Sequence, residues 1–287
     1  MTQKQFFKHK RTSLITSEID NLKKTAFDVR KKVFSMILTA HASHLASAYS
    51  IVEVLVYLYQ KVLHLNPSKP ASPNRDRFIL SKGWGVSALY VLLSKKGFFS
   101  KKLLNEYCKD GSKMIGIATR NGIRGIEATT GSMGHGLPIG VGLAKAMKLQ
   151  GKKNRTVVLI SDGECDTGST WESILLAAHH KLDNLLVIVD YNKWQSFGRT
   201  NEVLNLEPLI NKWKAFNWHA EMVRDGHDFY QIDKAFKKCF VVRDKPQVII
   251  AHTIKGKGLS AIEDRNEWHY QTPRENEIKV AKLEGLI

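Results

Sequence analysis

Residues 156–196 read TVVLISDGECDTGSTWESILLAAHHKLDNLLVIVDYNKWQS. Two apolar runs, 156–160 and 185–189, flank a segment in which Trp171, Ile174, Leu175 and Ala178 recur at helical spacing. The stretch therefore predicts strand, turn, amphipathic helix, strand, turn. A crossover between parallel strands is almost always right-handed, so both turns emerge at one edge of a parallel sheet, where open α/β sheets bind their ligands. The first turn carries Asp162, Gly163 and Glu164, and the second carries Asp190 and Asn192. A carboxylate, an amide oxygen and a backbone carbonyl are hard donors suited to part of a Mg²⁺ cage, and Gly163 leaves room for a phosphate group. A βαβ unit with no ligand explains the same pattern.

Outward from this unit, the spacing predicts helices over 17–39, 47–63, 86–93, 103–107, 139–149, 206–216, 229–240 and 274–286, and strands over 77–80, 218–223 and 246–252. A helix cap at Thr16 or Ser17, a Pro/Ser loop over 66–74 and a loop over 201–205 complete the reading. No internal repeat or low-complexity tract interrupts the alternation. The expected fold is α/β, a doubly wound mostly parallel sheet flanked by helices, formed by one domain over 17–287 after a basic extension over 1–16. Residues 111–136 show little periodicity, and loops of that length inside a compact domain are usually functional or disordered.

Composition narrows the function classes. Hydrophobic residues make up 43% of the 287 positions, yet no apolar run approaches the roughly 20 residues that cross a bilayer. The basic start lacks the apolar block of a secretory signal, so a cytoplasmic protein is expected. Cys108, Cys165 and Cys239 are too far apart to suggest a disulfide framework or a zinc cluster, and they read as packing residues. The net charge of +17 raises the question of nucleic acid, but the lysines come as scattered pairs without a helix-turn-helix, finger or aromatic-basic surface. Solvated helix faces, or attraction of phosphorylated small substrates, account for the charge.

The segment Thr129-Thr130-Gly131-Ser132-Met133-Gly134-His135-Gly136 leads into a helix of small residues. Such a helix entry suits an anion, or simply tight helix packing. Taken with the central unit it gains meaning, because Asp162-Gly163 through Asn192 resembles the thiamine diphosphate signature, with Ser161 at the first glycine. Residues 76–83 (DRFILSKG), 130–134 (TGSMG), 177–185 (AAHHKLDNL), 206–209 (LEPL), 225–228 (DGHD) and 253–258 (TIKGKG), with Trp268-His269, are similar, in order, to the N-terminal half of transketolase in its two-polypeptide form.

The resemblance implies thiamine diphosphate and Mg²⁺ as cofactors, with Asp162, Asn192 and the carbonyl of Trp194 as metal ligands. Gly131, Ser132, Met133, Gly163 and Glu164 would line the diphosphate. His44 and His269 would face cofactor and substrate as catalytic groups, His269 also touching the cofactor. His179 and His180 read as surface or cap residues, and His227 as turn-forming. Trp84 replaces the family's histidine after SKG, Gly116-Ile117-Ala118 replaces a GHP segment, Thr167 replaces a proton-relay glutamate, and His135 stands where glutamine is usual.

The implied reaction moves a two-carbon ketol unit from a ketose or ketose phosphate to an aldehyde or modified-sugar acceptor, the cofactor supplying the electron sink. Activation also needs a glutamate from a second, pyrimidine-binding domain. The expectation is therefore a two-chain enzyme with a transketolase C-terminal-like partner, assembled as a dimer of heterodimers. A different thiamine-dependent carboligase or 2-oxo acid decarboxylase subunit, or a non-catalytic assembly subunit, remain alternatives.

Overall fold

A computed structural model describes residues 14–287, so the expected basic extension lies outside the described residues except for its last three positions. Five strands form the sheet: β1 (Arg77–Leu80), β2 (Thr156–Ser161), β3 (Leu185–Tyr191), β4 (His219–Val223) and β5 (Gln247–His252). They lie in the order β1-β2-β3-β5-β4, and every neighbouring pair is parallel. The sheet is thus wholly parallel where a mostly parallel one was expected. β2 and β3 are buried at every position, as strands covered on both faces must be.

The helices are α1 (Thr16–Ala40), α2 (Leu45–Tyr49), α3 (Val52–Tyr57), α4 (Val86–Lys95), α5 (Gly136–Leu149), α6 (Gly168–His179), α7 (Thr200–Val203), α8 (Leu209–Ala215), α9 (Phe229–Phe240) and α10 (Glu275–Leu283). Alternation along the strands divides the core in two. Val157 and Leu159 point into the cluster built with α1 to α4, α9 and α10. Val158 and Ile160 point into the opposite cluster, built with α5, α6 and α8. Helices on both faces of a parallel sheet make the doubly wound arrangement.

Several local expectations are corrected. The helix expected over 47–63 starts at Leu45, breaks at Ser50 and Ile51, and ends in a π turn, Leu58–Val62. The break turns the Ser50 hydroxyl to within 2.9 Å of Asp190 Oδ2. At the start of α1 neither Thr16 nor Ser17 caps the helix; Glu18 instead accepts from the Ile15 N–H at 3.2 Å. The loop expected over 201–205 contains the short α7, and α8 begins at Leu209, after Pro208, rather than at 206. Cys165 and Cys239 are buried packing residues, but Cys108 is exposed.

A buried charge network holds the α1 side against the C-terminal loops. Arg30 donates to both oxygens of Glu53, at 2.6 and 2.8 Å, and its Nε donates to the Lys257 carbonyl at 2.6 Å. The ring of His227 spans 2.8 Å to Glu53 and 2.9 Å to the Ile254 N–H. His227 therefore does more than form a turn: it ties the loop after β4 to the loop after β5.

Burial pushes the Glu53 carboxyl up, but Arg30 and His227 outweigh it and hold it down at about 2. Glu53→Gln is expected to cost about 3 kcal/mol at neutral pH, because it leaves Arg30 buried without its counter-charge. Since the folded value lies below the ordinary 4.5, this stabilisation is complete above pH 4.5 and is lost as pH falls towards 2. Guanidinium unfolding from about pH 5 to about pH 3 should show the gap between the two proteins narrowing. A gap that stays constant over that range contradicts the assignment.

Candidate active site

Four strands deliver polar residues to one edge. β1 ends in Ser81 and Lys82, β2 in Asp162, β3 in Asp190 and Asn192, and β5 in Thr253 and Lys255. Ser161 pairs in register with Asp190, which sets the two turns of the central unit side by side. The Lys193 N–H donates to Asp162 Oδ2 at 2.7 Å, so the loop after β3 closes directly on the turn after β2.

The glycine turn is brought to the same place by the long segment over 111–135. Ala118 N–H donates to the Gly83 carbonyl at 3.1 Å, Thr130 N–H to the Ala118 carbonyl at 2.9 Å, and the Thr130 hydroxyl to the Leu80 carbonyl at 2.5 Å. The segment is thus pinned to the end of β1. A methyl group on Gly83 would stand 2.7 Å from Gly131 N, and Gly131 itself has φ +117° with Ile117 packed against it. Only glycine permits this approach. A methyl on Gly163 would meet Met133 Sδ at 3.8 Å, an ordinary contact, so the exposed Met133 overhangs the Asp162 turn.

Glu164 is completely buried and spans three segments. One oxygen accepts from the Ser81 hydroxyl and from the Gly134 N–H, and the other accepts from the Ser161 N–H at 2.8 Å. Both oxygens are occupied by protein donors. This geometry gives Glu164 the work of holding the Gly134 turn against β1 and β2.

Asp190 lies at the centre of the edge. It accepts from Lys82 at 2.6 Å, from Asn192 Nδ2 at 2.8 Å and from the Thr253 hydroxyl. Burial raises its carboxyl, yet Lys82 and these donors more than offset that and leave it below the usual value. Asp162 has no such cation. Burial, then the Asp190 charge, pushes it up to about 7, and among the described residues its oxygens accept only from the backbone N–H groups of Gly163 and Lys193.

A buried carboxylate facing a second carboxylate, with the nearby lysine already committed, is an environment that a divalent cation would neutralise. Asn192 orients its Nδ2 to Asp190 and its oxygen to the Trp194 N–H, 2.9 Å away. Among the described residues no three His, Cys, Asp or Glu side chains converge on one point. A site for such a cation would have to be completed by donors other than clustered side chains, such as amide or main-chain oxygens, phosphate oxygens and water.

An aromatic wall stands beside this edge. The rings of His44 and His269 lie 5.3 Å apart, Tyr270 packs 5.6 Å from His44 and 4.5 Å from His269, and Trp84 lies 6.4 Å from His269. His44 adopts φ 68°, a left-handed conformation uncommon outside glycine and typical of strained functional positions. Burial, then Lys82 and Lys255, push the His44 ring down to about 4; burial, then Lys255 and His44, push His269 down to about 3. Both imidazoles are therefore neutral at physiological pH, each able to donate one hydrogen bond and accept another. Lys255 Nζ lies 3.5 Å from His269 Nδ1, and burial with the Lys82 charge lowers it to about 8.

The structure gathers Asp162, Gly163, Asn192, Gly131, Ser132, Met133, His44 and His269 around this edge. Trp194 contributes a backbone that follows Asn192, while its ring stacks on Arg199 at 3.8 Å and its Nε1 donates to Asp264. Thr167 bonds the Glu164 carbonyl and Thr170 within its own turn. Sequence places Lys82 and Lys255 just past strand ends and Asp190 in its turn but gives none of them a role, and it does not point to Ser50 or Tyr270. The strand-end rule that finds Asp162 brings Lys82 and Lys255 to the edge; their partners come only from the fold.

Residues 22–285 match the family described as transketolase, thiamine diphosphate binding domain. The chain is 39% identical over 270 residues to an apulose-4-phosphate transketolase subunit of Actinobacillus succinogenes, covering 93% of this chain and 96% of that protein. It is 38% identical over 256 residues to the 6-deoxy-6-sulfo-D-fructose transketolase subunit SqwG of a Clostridium species, covering 89% and 93%. Among solved structures, the transketolase from Leishmania mexicana superposes with a TM-score of 0.87 at 27% identity, covering 92% of this chain but 41% of that one. The chain thus spans under half of that transketolase chain and nearly all of the two subunits.

Proposed function

This chain belongs to the transketolase family, matching its thiamine diphosphate-binding domain, and from that premise we propose that it is the diphosphate-binding subunit of a two-chain transketolase. The carrying observation is its match over most of the length of proteins named as transketolase subunits, set against a match to under half of a transketolase chain. The second chain would supply the pyrimidine-binding half, and two such pairs would form the working assembly. Exposed Leu175 and Leu176 on α6, just after the Asp162 turn, offer apolar area for an assembly contact near the site.

In this reading Asp162, the Asn192 oxygen and the Trp194 carbonyl hold Mg²⁺, and the Gly131-Ser132-Met133 turn and Gly163 cradle the diphosphate. Bound there, the cofactor supplies the electron sink for cleaving and forming the carbon–carbon bond. The protein's own contribution is positional. Lys82 and Asp190 fix the Asn192 loop, and Glu164 fixes the glycine turn. His44 and His269, held neutral, hydrogen-bond substrate hydroxyls and pass protons at their ring nitrogens. Trp84 narrows the wall beside His269, which favours a sugar other than the usual ketose phosphates. The relatives named for apulose 4-phosphate and a sulfonated fructose support an anionic donor, and the lysines at this edge would attract one.

The three free cysteines suit a reducing compartment, and the reading places the enzyme in the cytoplasm. Among the described residues no helix is long and apolar enough to cross a membrane. A donor screen with the reconstituted pair tests the chemistry: anionic ketoses should release a shortened aldehyde, and 2-oxo acids should not release carbon dioxide. Decarboxylation without ketol transfer contradicts the proposal.

A further inference from the structure

Away from the sheet edge, the C-terminal end of α4 and the 3-10 helix Lys101–Glu106 meet α1 around a cavity of about 420 Å³. That volume falls within the range of small-molecule sites. Four lysines, Lys32, Lys95, Lys101 and Lys102, line it against a single aspartate, Asp28. Lys95 lies 3.2 Å from Asp28 and Lys32 donates to Asn105 Oδ1 at 3.0 Å. The ammonium groups of Lys101 and Lys102 make no hydrogen bond or ion pair among the described residues. The cavity therefore carries an excess of positive charge with donors to spare.

Two further observations specify the ligand. Val91 and Leu104 also line the cavity, and both are buried, which provides an apolar floor. Ser94, 5% exposed, has its hydroxyl oxygen buried without a hydrogen-bond partner. A serine near the end of a helix commonly bonds the carbonyl one turn back, and buried polar atoms are rarely left unpaired. An acceptor from outside the chain would satisfy it.

We propose that this cavity is a second binding site, for an organic phosphate: the phosphate sits among Lys95, Lys101 and Lys102 and accepts from Ser94, and its carbon skeleton lies on Val91 and Leu104. None of these residues belongs to the candidate active site. The two sites are joined by α4, which starts just after Trp84 and ends at Lys95, a helix of 10 residues or about 15 Å. The proposal stands independently of the reaction.

The test titrates the full chain, in excess Mg²⁺ and thiamine diphosphate, with phenyl phosphate, and uses benzyl alcohol as the uncharged control. One phenyl phosphate should bind per chain, less tightly as salt rises, and benzyl alcohol should bind far more weakly. Lys95→Ala/Lys102→Ala should weaken binding at least about tenfold, the effect of about 1.4 kcal/mol. Ser94→Ala should weaken it about threefold or more while the unfolding midpoint stays the same or rises, since an unpaired buried hydroxyl is removed. Absence of saturable binding, equal binding of benzyl alcohol, or unchanged affinity in the double lysine variant, which would put the phosphate elsewhere, overturns the proposal.

Discussion

Replacing Asp162 with asparagine is expected to weaken binding of Mg²⁺ and thiamine diphosphate by more than about a hundredfold, since even groups that merely support a metal ligand are worth tenfold to a hundredfold. The fold should survive. An asparagine at this position would keep a side-chain oxygen for the Lys193 N–H, which lies 2.7 Å from the carboxylate in the parent. It would also remove a buried charge that faces Asp190 and that burial already pushes up to about 7. Without ligand, the variant should unfold in guanidinium at the same concentration as the parent or higher, while calorimetry registers the loss of binding. Affinity within about threefold of the parent would mean that the cation does not sit on Asp162.

Lys82→Met is expected to cost about 3–5 kcal/mol of stability, the usual penalty for removing one partner of a buried ion pair. Lys82 and Asp190 are 2% and 1% exposed in their side chains and 2.6 Å apart. With the lysine gone, two buried carboxylates would share the edge, and Asp190 would lose the cation it is paired with. Combining Lys82→Met with Asp190→Asn should recover much of the loss, and the double-mutant cycle reads the coupling directly. A single-variant loss below about 1 kcal/mol would show that the Lys82–Asp190 pair does not hold this edge together.

The sheet is legible because β2, β3 and β5 are nearly continuous apolar runs ending in turn residues, and the right-handed crossover rule sends those turns to one edge. That logic reached Asp162 and Asn192 from spacing alone. It stopped short wherever tertiary contacts decide: the break at Ser50 exists because its hydroxyl meets Asp190, 140 positions away. His227 reads as a turn residue because its partner, Glu53, lies on a helix 174 positions earlier. The resemblance puts Glu164 with the cofactor groups, and only the fold shows that its oxygens accept from Ser81, Ser161 and Gly134. The aromatic wall was half legible. His44 and His269 came from the family resemblance, whereas Tyr270, at 66% exposure, offered neither period nor motif.

The central claim is that this chain holds one half of a thiamine diphosphate site and works only with a second chain. The most direct measurement adds this chain stepwise to a fixed amount of a transketolase C-terminal-like partner, with Mg²⁺, cofactor, an anionic ketose donor and an aldehyde acceptor. The account predicts no ketol transfer from either chain alone and activity that rises to a plateau at equal amounts of the two. Full turnover by this chain alone, or an inactive pair that nevertheless assembles and binds cofactor, would contradict it.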